Sequence, residues 1–153
     1  MTAFNQDEFV AFLVRAKHAT YASEGGAMIV DSLLPGAHQL EYAADRFSYR
    51  DIYYGQLHFA GQEMVFYDGN PIWSMVYAGG MLDESASLGG FLKAAMRQVS
   101  ADRPFRGPES FRDGDYAYTD ASHGAVDRFW GVEVITFQER AIYDLRYQGG
   151  FVR

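Results

Sequence analysis

Residues 59–80, FAGQEMVFYDGNPIWSMVYAGG, and residues 129–150, FWGVEVITFQERAIYDLRYQGG, repeat one pattern at an offset of 70 residues without a gap. Seven of these 22 positions are identical, where chance would give about one or two. The match extends upstream, where FSYRDIYYG at 47–55 aligns with YAYTDASHG at 116–124 at an offset of 69. Such a duplication predicts that one supersecondary unit is built twice.

Each copy reads as three short antiparallel strands. The runs are rich in aromatic and β-branched residues, which favour strands. Gly55 and Gly124 mark the first turn of each copy, and Asp68-Gly69-Asn70-Pro71 and Gln138-Glu139-Arg140 mark the second. The Gly-Gly pairs at 79–80 and 149–150 predict bulges or tight bends after the third strand.

An amphipathic helix precedes each strand triplet. Apolar residues recur at helical spacing in 6–20, where Asn5 with Glu8 resembles a capping box. A similar stripe runs through 88–99, with Ser87 as the expected N-cap. We therefore expect an α+β fold: a tandem αβββ repeat with antiparallel strands, a pseudo-twofold axis and two helices packed on the sheet or sheets. The chain, 1–153, would be a single domain with repeats at about 5–82 and 85–153.

The joins between helix and strands differ between the copies. The first, TYASEGGAMIVDSLLPGAHQLEY, is longer than the second, SADRPFRGPESFRDGD. The extra length predicts either an additional strand at 27–30 or a flap hinged at Gly25-Gly26.

Composition excludes several classes of function. The net charge is −7 and basic residues are not clustered, which opposes direct binding to nucleic acid or anionic membranes. No apolar run is long enough to span a membrane and no basic, apolar leader is evident, so we expect a cytoplasmic protein. The chain has no cysteine, and its four histidines lack ligand spacing. We expect no metal, no cofactor and no catalytic motif of a known type.

The repeat preserves one face of each strand. Matched positions in the middle strand are the odd ones from 59 to 67, and side chains of a strand alternate between faces. The shared face carries Glu63 and Glu133 among apolar residues, and Asp51 and Asp120 lie on the same faces of the first strands. If these faces point inward, they enclose aromatic rings and four carboxylates.

A carboxylate ringed by aromatic side chains is suited to an amphipathic cation. We therefore expect a small-molecule site between the two halves, with Glu63 and Glu133 as its charged centre. Its walls and accessory groups would be Trp73, Tyr143, Tyr77, Tyr147, Tyr49, Tyr118, Asp51 and Asp120.

Three alternatives stay open at this point. The glutamates could serve the fold alone, through hydrogen bonds to tyrosine, tryptophan or the backbone. The same carboxylates could instead run hydrolase or isomerase chemistry. The chain could also be a structural or regulatory interaction module, with Tyr53, Tyr54 or Trp130 facing a partner such as a transcription regulator.

Several motifs resemble an uncharacterised bacterial domain family. They are F-x-G-x-E followed by I-W-x-x-x-Y-x-G, F-R-G-P-E at 105–109, D-G-D-Y at 113–116 and Y-x-G-G-F-V-R at 147–153. The resemblance implies a domain of unknown function that occurs alone or fused behind a phage-repressor-type (XRE) helix-turn-helix. At the level of architecture only, the doubled unit also resembles the effector-binding domains of drug-responsive transcription regulators, some of which hold a cationic drug against a buried glutamate.

Overall fold

The computed structural model describes residues 4–23 and 28–153. This part of the chain forms two helices and nine strands. In chain order they are α1 (Gln6–Ala19), β1 (Ile29–Val30), β2 (His38–Ala44), β3 (Phe47–Gly55), β4 (His58–Tyr67), β5 (Asn70–Met81), α2 (Phe91–Met96), β6 (Ser110–Asp113), β7 (Tyr116–Ala125), β8 (Arg128–Phe137) and β9 (Arg140–Phe151).

All nine strands form one antiparallel sheet in the order β1-β2-β3-β4-β5-β9-β8-β7-β6. The predicted α+β fold, with αβββ units and two helices packed on the sheets, is wrong. The molecule is predominantly one large antiparallel sheet with two short helices. Two features of the chain explain the error: strands hidden in the joins and a shortened second helix.

A fourth strand precedes each predicted triplet. β2 pairs with β3 across the turn at Asp45-Arg46, and β6 pairs with β7 across Gly114-Asp115. β2 and β6 lie in the segments that connect helix to strands in each copy. Their sequences have weak strand propensity, and they become strands because β3 and β7 supply their hydrogen-bond partners. The extra strand predicted at 27–30 is confirmed over Ile29–Val30, whereas the hinge predicted at Gly25-Gly26 lies outside the described residues.

The first helix begins and packs largely as predicted. The Asn5 side chain caps it by accepting hydrogen bonds from the backbone N–H groups of Asp7 and Glu8. Its apolar stripe of Phe9, Phe12, Leu13 and Ala16 is buried against the sheet.

The second helix spans six residues instead of the predicted twelve. Its N-cap is Gly90, with no side-chain hydrogen bond, and the Ser87 hydroxyl instead accepts from the N–H of Gly89. Consecutive glycines at 89 and 90 disfavour a helical start and so delay the helix.

The turns follow the prediction, whereas the Gly-Gly pairs do not. Gly55 and Gly124 both have φ of +89°, and the second turns use two successive residues with positive φ in each copy. The pairs at 79–80 and 149–150 lie inside β5 and β9 rather than after them. A Cβ atom on Gly79 would lie 2.3 Å from the backbone oxygen of Asp144, so this glycine permits the close approach of β9.

The two repeats meet at β5 and β9, whose register is centred on Tyr77 opposite Tyr147. Because residue 147 is the equivalent of residue 77, the pairing is symmetric about this point. The expectation that the shared face points inward is confirmed, since its large aromatic and aliphatic side chains form the core on one side of the sheet. The four carboxylates of that face are therefore buried.

Candidate functional site

The buried carboxylates form two equivalent pairs on adjacent strands. Asp51 of β3 lies opposite Glu63 of β4, and Asp120 of β7 lies opposite Glu133 of β8. All four side chains are buried. We call Asp51 and Glu63 with their neighbours the first centre, and Asp120 and Glu133 with theirs the second centre.

Glu133 of the second centre has a full set of hydrogen-bond donors. Arg106 donates to both of its oxygens, from Nη2 to Oε1 at 2.7 Å and from Nε to Oε2 at 3.2 Å. The hydroxyls of Tyr118 and Tyr143 add one bond each, both at 2.7 Å, to Oε2 and Oε1. Four donors offset the cost of burying this charge.

Glu63 of the first centre has far fewer donors. Lys17 donates to its Oε2 atom at 2.7 Å and to the backbone oxygen of Phe105 at 2.5 Å. Among the described residues, the Oε1 atom of Glu63 is buried without a hydrogen-bond partner, and so is the hydroxyl of Tyr49. An unpaired buried polar atom is costly, so this centre is incompletely satisfied.

Two tyrosines that donate to Glu133 have no counterpart that donates to Glu63. Trp73 occupies the position equivalent to Tyr143, and its indole donates at 3.0 Å to the backbone oxygen of Val126 rather than to the glutamate. Tyr49 is equivalent to Tyr118 yet makes no such bond. The two centres therefore share a framework but differ in their hydrogen bonding.

Each aspartate accepts a hydrogen bond from the central tyrosine of its own repeat. The hydroxyl of Tyr77 donates to Asp51 at 2.6 Å, and that of Tyr147 donates to Asp120 at 2.9 and 3.0 Å. The glycine of F-x-G-x-E makes room for these rings. A Cβ atom on Gly61 would lie 2.4 Å from the Tyr77 hydroxyl oxygen, and Gly131 stands in the same relation to Tyr147.

Burial shifts the pKa values of both aspartates upward. Burial first, and then the neighbouring charge of Glu63, raise the pKa of Asp51 to about 7, although the Tyr77 hydrogen bond opposes the shift. Burial raises the pKa of Asp120 to about 6. Arg103 lies 3.5 Å from Asp120, whereas Asp51 has no cation within 4.0 Å among the described residues.

Three important residues of these centres escaped the sequence analysis. Lys17 is fully buried, Arg106 nearly so, and the hydroxyl of Tyr21 is buried without a partner in the described part of the chain. Lys17 follows Phe9 by eight positions and so continues the apolar stripe of α1, which is a signal that could have identified it. Arg106 and Tyr21 lie in irregular segments, where periodicity offers no guide.

A cavity of about 400 Å³ opens beside the first centre. Of the ten predicted site residues, Asp51 and Tyr77 line it, and the other eight are buried without lining it. The remaining lining comes from the first repeat and from the α2 region of the second, namely Tyr21, His38, Tyr53, Gly55, Gln56, Phe59, Leu88, Gly89, Leu92, Lys93, Met96 and Arg106.

Within residues 4–23 and 28–153, no group of three or more histidine, aspartate or glutamate side chains could hold a metal ion. Neither of the described helices is long and apolar enough to cross a membrane.

The sequence profile of DUF5680, a domain of unknown function, matches residues 51–152. The match supports the resemblance to an uncharacterised domain, while bacterial origin and fusion to a helix-turn-helix stay predictions. No curated protein and no solved structure matches the chain. The matched segment contains both carboxylate pairs and Arg106, whereas Lys17, Tyr21 and Tyr49 precede it.

Proposed function

We propose that this chain, which belongs to the DUF5680 family, binds a small amphipathic molecule in the cavity beside Asp51. A cationic or hydrogen-bond-donating group of the ligand would face the Asp51 carboxylate. The observation that carries the proposal is the state of this carboxylate: it is buried at the wall of a cavity and has one tyrosine donor but, among the described residues, no cation within 4.0 Å. Such a group gains from any ligand that supplies the missing charge or donor.

The charges around the cavity favour a cation over an anion. Lys17 is paired with Glu63, and Arg106 is paired with Glu133. With these pairs neutralised, Asp51 contributes the uncompensated charge beside the cavity. Lys93 also lines the cavity, but its side chain is exposed at the rim, where solvent screens it.

The other walls suit an apolar body. The rings of Tyr53 and Phe59 line one side, and Leu92 and Met96 line the other. A cavity of about 400 Å³ falls in the range of small-molecule pockets, which combine apolar walls with a few polar groups. The ligand we expect has one polar end and one ring-sized apolar end.

The test is a thermal-shift screen of the purified protein against amines, lipophilic cations, nucleosides and neutral and anionic metabolites. A ligand at 100 times its Kd stabilises the folded state by about 2.7 kcal/mol. For a domain of this size that corresponds to a rise in Tm of roughly 5–10 °C. We expect such rises for amphipathic cations or donors and not for anions.

The repeat offers a matched control. Asp51→Asn should abolish or strongly reduce the shifts, because it removes the charge at the cavity wall. Asp120→Asn makes the same change at the equivalent buried position, which does not line the cavity, and should leave them intact. Equal loss in both variants, or shifts from no compound, would contradict the proposed function.

One observation also favours proton-transfer catalysis as a second candidate. Asp51 has a pKa of about 7 and shares a hydrogen bond with Tyr77 at the cavity, and a carboxylate with a pKa near neutrality is suited to acid–base chemistry. Chemical change in a bound screen hit, lost in Asp51→Asn, would favour a hydrolase or isomerase. Recovery of every hit unchanged would favour binding alone.

A further inference from the structure

The two centres differ in how well their glutamates are satisfied, and this difference singles out the first centre. Among the described residues, Glu133 accepts four hydrogen bonds, whereas Glu63 accepts one. We propose that the ligand is a primary amine, whose ammonium group is held jointly by Asp51, the free Oε1 atom of Glu63 and a tyrosine hydroxyl. This inference rests on the proposed function and specifies its ligand class.

The acceptors of the first centre are close neighbours along two adjacent strands. Asp51 and Glu63 are directly opposite on β3 and β4, and residues so paired have Cβ atoms about 4.5–5.5 Å apart. Tyr49 precedes Asp51 by two positions on the same buried face of β3. Tyr21 lines the cavity, and its hydroxyl, like that of Tyr49, is buried without a partner among the described residues.

A primary ammonium matches this set of acceptors. It carries three N–H donors. Asp51 and Tyr21 line the cavity, and the Oε1 atom of Glu63 and the hydroxyl of Tyr49 are further buried acceptors of the same centre. A quaternary ammonium has the same charge but no N–H, so it would leave the Oε1 atom of Glu63 and the tyrosine hydroxyls without a donor. A hydroxyl in place of the amine would supply one donor and no charge.

The charge balance also favours one further positive charge, either a proton on Asp51, whose pKa burial raises to about 7, or an ammonium group in its place. The connected groups are two cations, Lys17 and Arg106, and three carboxylates, Asp51, Glu63 and Glu133. One bound ammonium makes this cluster neutral, which favours its burial. Glu133 has its donors already, so it holds the fold together and takes no part in ligand recognition.

The experiment measures Kd by calorimetry for matched triplets of compounds on phenyl, cyclohexyl and indole bodies. Each triplet contains the 2-aminoethyl, 2-(trimethylammonio)ethyl and 2-hydroxyethyl derivative of one body. We expect at least one triplet in which the primary amine binds about tenfold or more tightly than both analogues, as the loss of a hydrogen bond to a charged group implies.

Variants identify the acceptors. Glu63→Gln should weaken the primary amine about tenfold more than it weakens the trimethyl compound, which loses only the attraction of the Glu63 charge, whereas Asp51→Asn should weaken both. Tyr49→Phe removes a hydroxyl that has no partner in the described structure, so it should fold, and it should weaken only the primary amine. Asp120→Asn should change no affinity.

Three results would overturn the assignment while the proposed function survives, and the first two concern amines that bind. These two results are a trimethyl compound that binds as tightly as its primary amine, and amine binding that neither Glu63→Gln nor Tyr49→Phe weakens. Amines that do not bind, when neutral compounds do bind in an Asp51-dependent way, also exclude a primary amine. Absence of binding by every compound of both screens overturns the proposed function itself.

Discussion

The same substitution at equivalent positions of the two repeats should have opposite effects on stability. Tyr49 and Tyr118 are both fully buried, at 1% and 0% exposure, and both lie on the inner face of the second strand of their four-stranded units. Replacing either residue with phenylalanine deletes one hydroxyl oxygen and little volume. The expected free-energy changes therefore report hydrogen bonding rather than packing.

Tyr118→Phe should destabilise the protein. The hydroxyl of Tyr118 donates to Glu133 at 2.7 Å and accepts from the N–H of Gly107 at 3.2 Å. A hydrogen bond to a charged group contributes about 1.5–3 kcal/mol, and the buried N–H would lose its acceptor as well. We expect the free energy of unfolding to fall by roughly 2–4 kcal/mol, which lowers Tm by about 5–12 °C.

Tyr49→Phe should be neutral or stabilising by up to about 1–2 kcal/mol, because it removes a buried hydroxyl that has no partner among the described residues. Urea titrations followed by tryptophan fluorescence measure both variants, and equal m-values establish that the denatured states are comparable. Equal destabilisation by the two substitutions would refute the asymmetry between the centres and, with it, the basis of the ligand assignment.

Three further predictions concern charge and backbone. From about pH 4 to pH 7 the free energy of unfolding should fall, because folded Asp51, with a pKa of about 7, keeps a proton that the unfolded residue releases near pH 3.8. Asp51→Asn should remove up to roughly 4 kcal/mol of this fall in urea titrations at several pH values. An unchanged dependence of stability on pH in this variant would contradict the prediction. Lys17→Met should lower the free energy of unfolding by about 3–5 kcal/mol, because it leaves the buried charge of Glu63 without its cation. Adding Glu63→Gln should restore part of this loss, and a double-mutant cycle without coupling energy would refute the ion pair. Gly149→Ala places a Cβ atom 2.2 Å from a backbone oxygen of β5 and should prevent folding. Gly69→Ala is the control: its φ is +78° and the space around it is open, so it should lower the free energy of unfolding by only about 1–2 kcal/mol. Similar Tm values for the two variants would contradict the close approach of β5 and β9.

The strands and turns of the repeats could be read from the sequence because their signals are local. Aromatic and apolar residues alternate with period two, and turn residues with positive φ interrupt them at equivalent places. The inward orientation of Glu63 and Glu133 followed from the same alternation. Because the pattern repeats after 70 residues, each strand and turn predicted in one repeat is supported by the equivalent segment of the other.

The extra strands β2 and β6 and the single sheet could not be read in this way. β2 and β6 have half-exposed, partly charged sequences, and their strand conformation depends on pairing with β3 and β7. The union of the repeats depends on β5 meeting β9 some 70 residues further along the chain. Pairing over such a separation leaves no periodic signal in either strand.

The sequence by itself determined the duplication, the buried face and the four carboxylates, because residue type and alternation suffice for each. Only the tertiary structure decided which carboxylates are satisfied. Lys17 reaches Glu63 from α1, 46 positions away, and Arg106 reaches Glu133 from a segment without regular structure. Tyr49 and Tyr118 are the same residue at equivalent positions, yet the Tyr118 hydroxyl is paired and the Tyr49 hydroxyl has no partner in the described part of the chain. Hydrogen bonding depends on distances between atoms from remote parts of the chain, and those distances exist only once the sheet has formed.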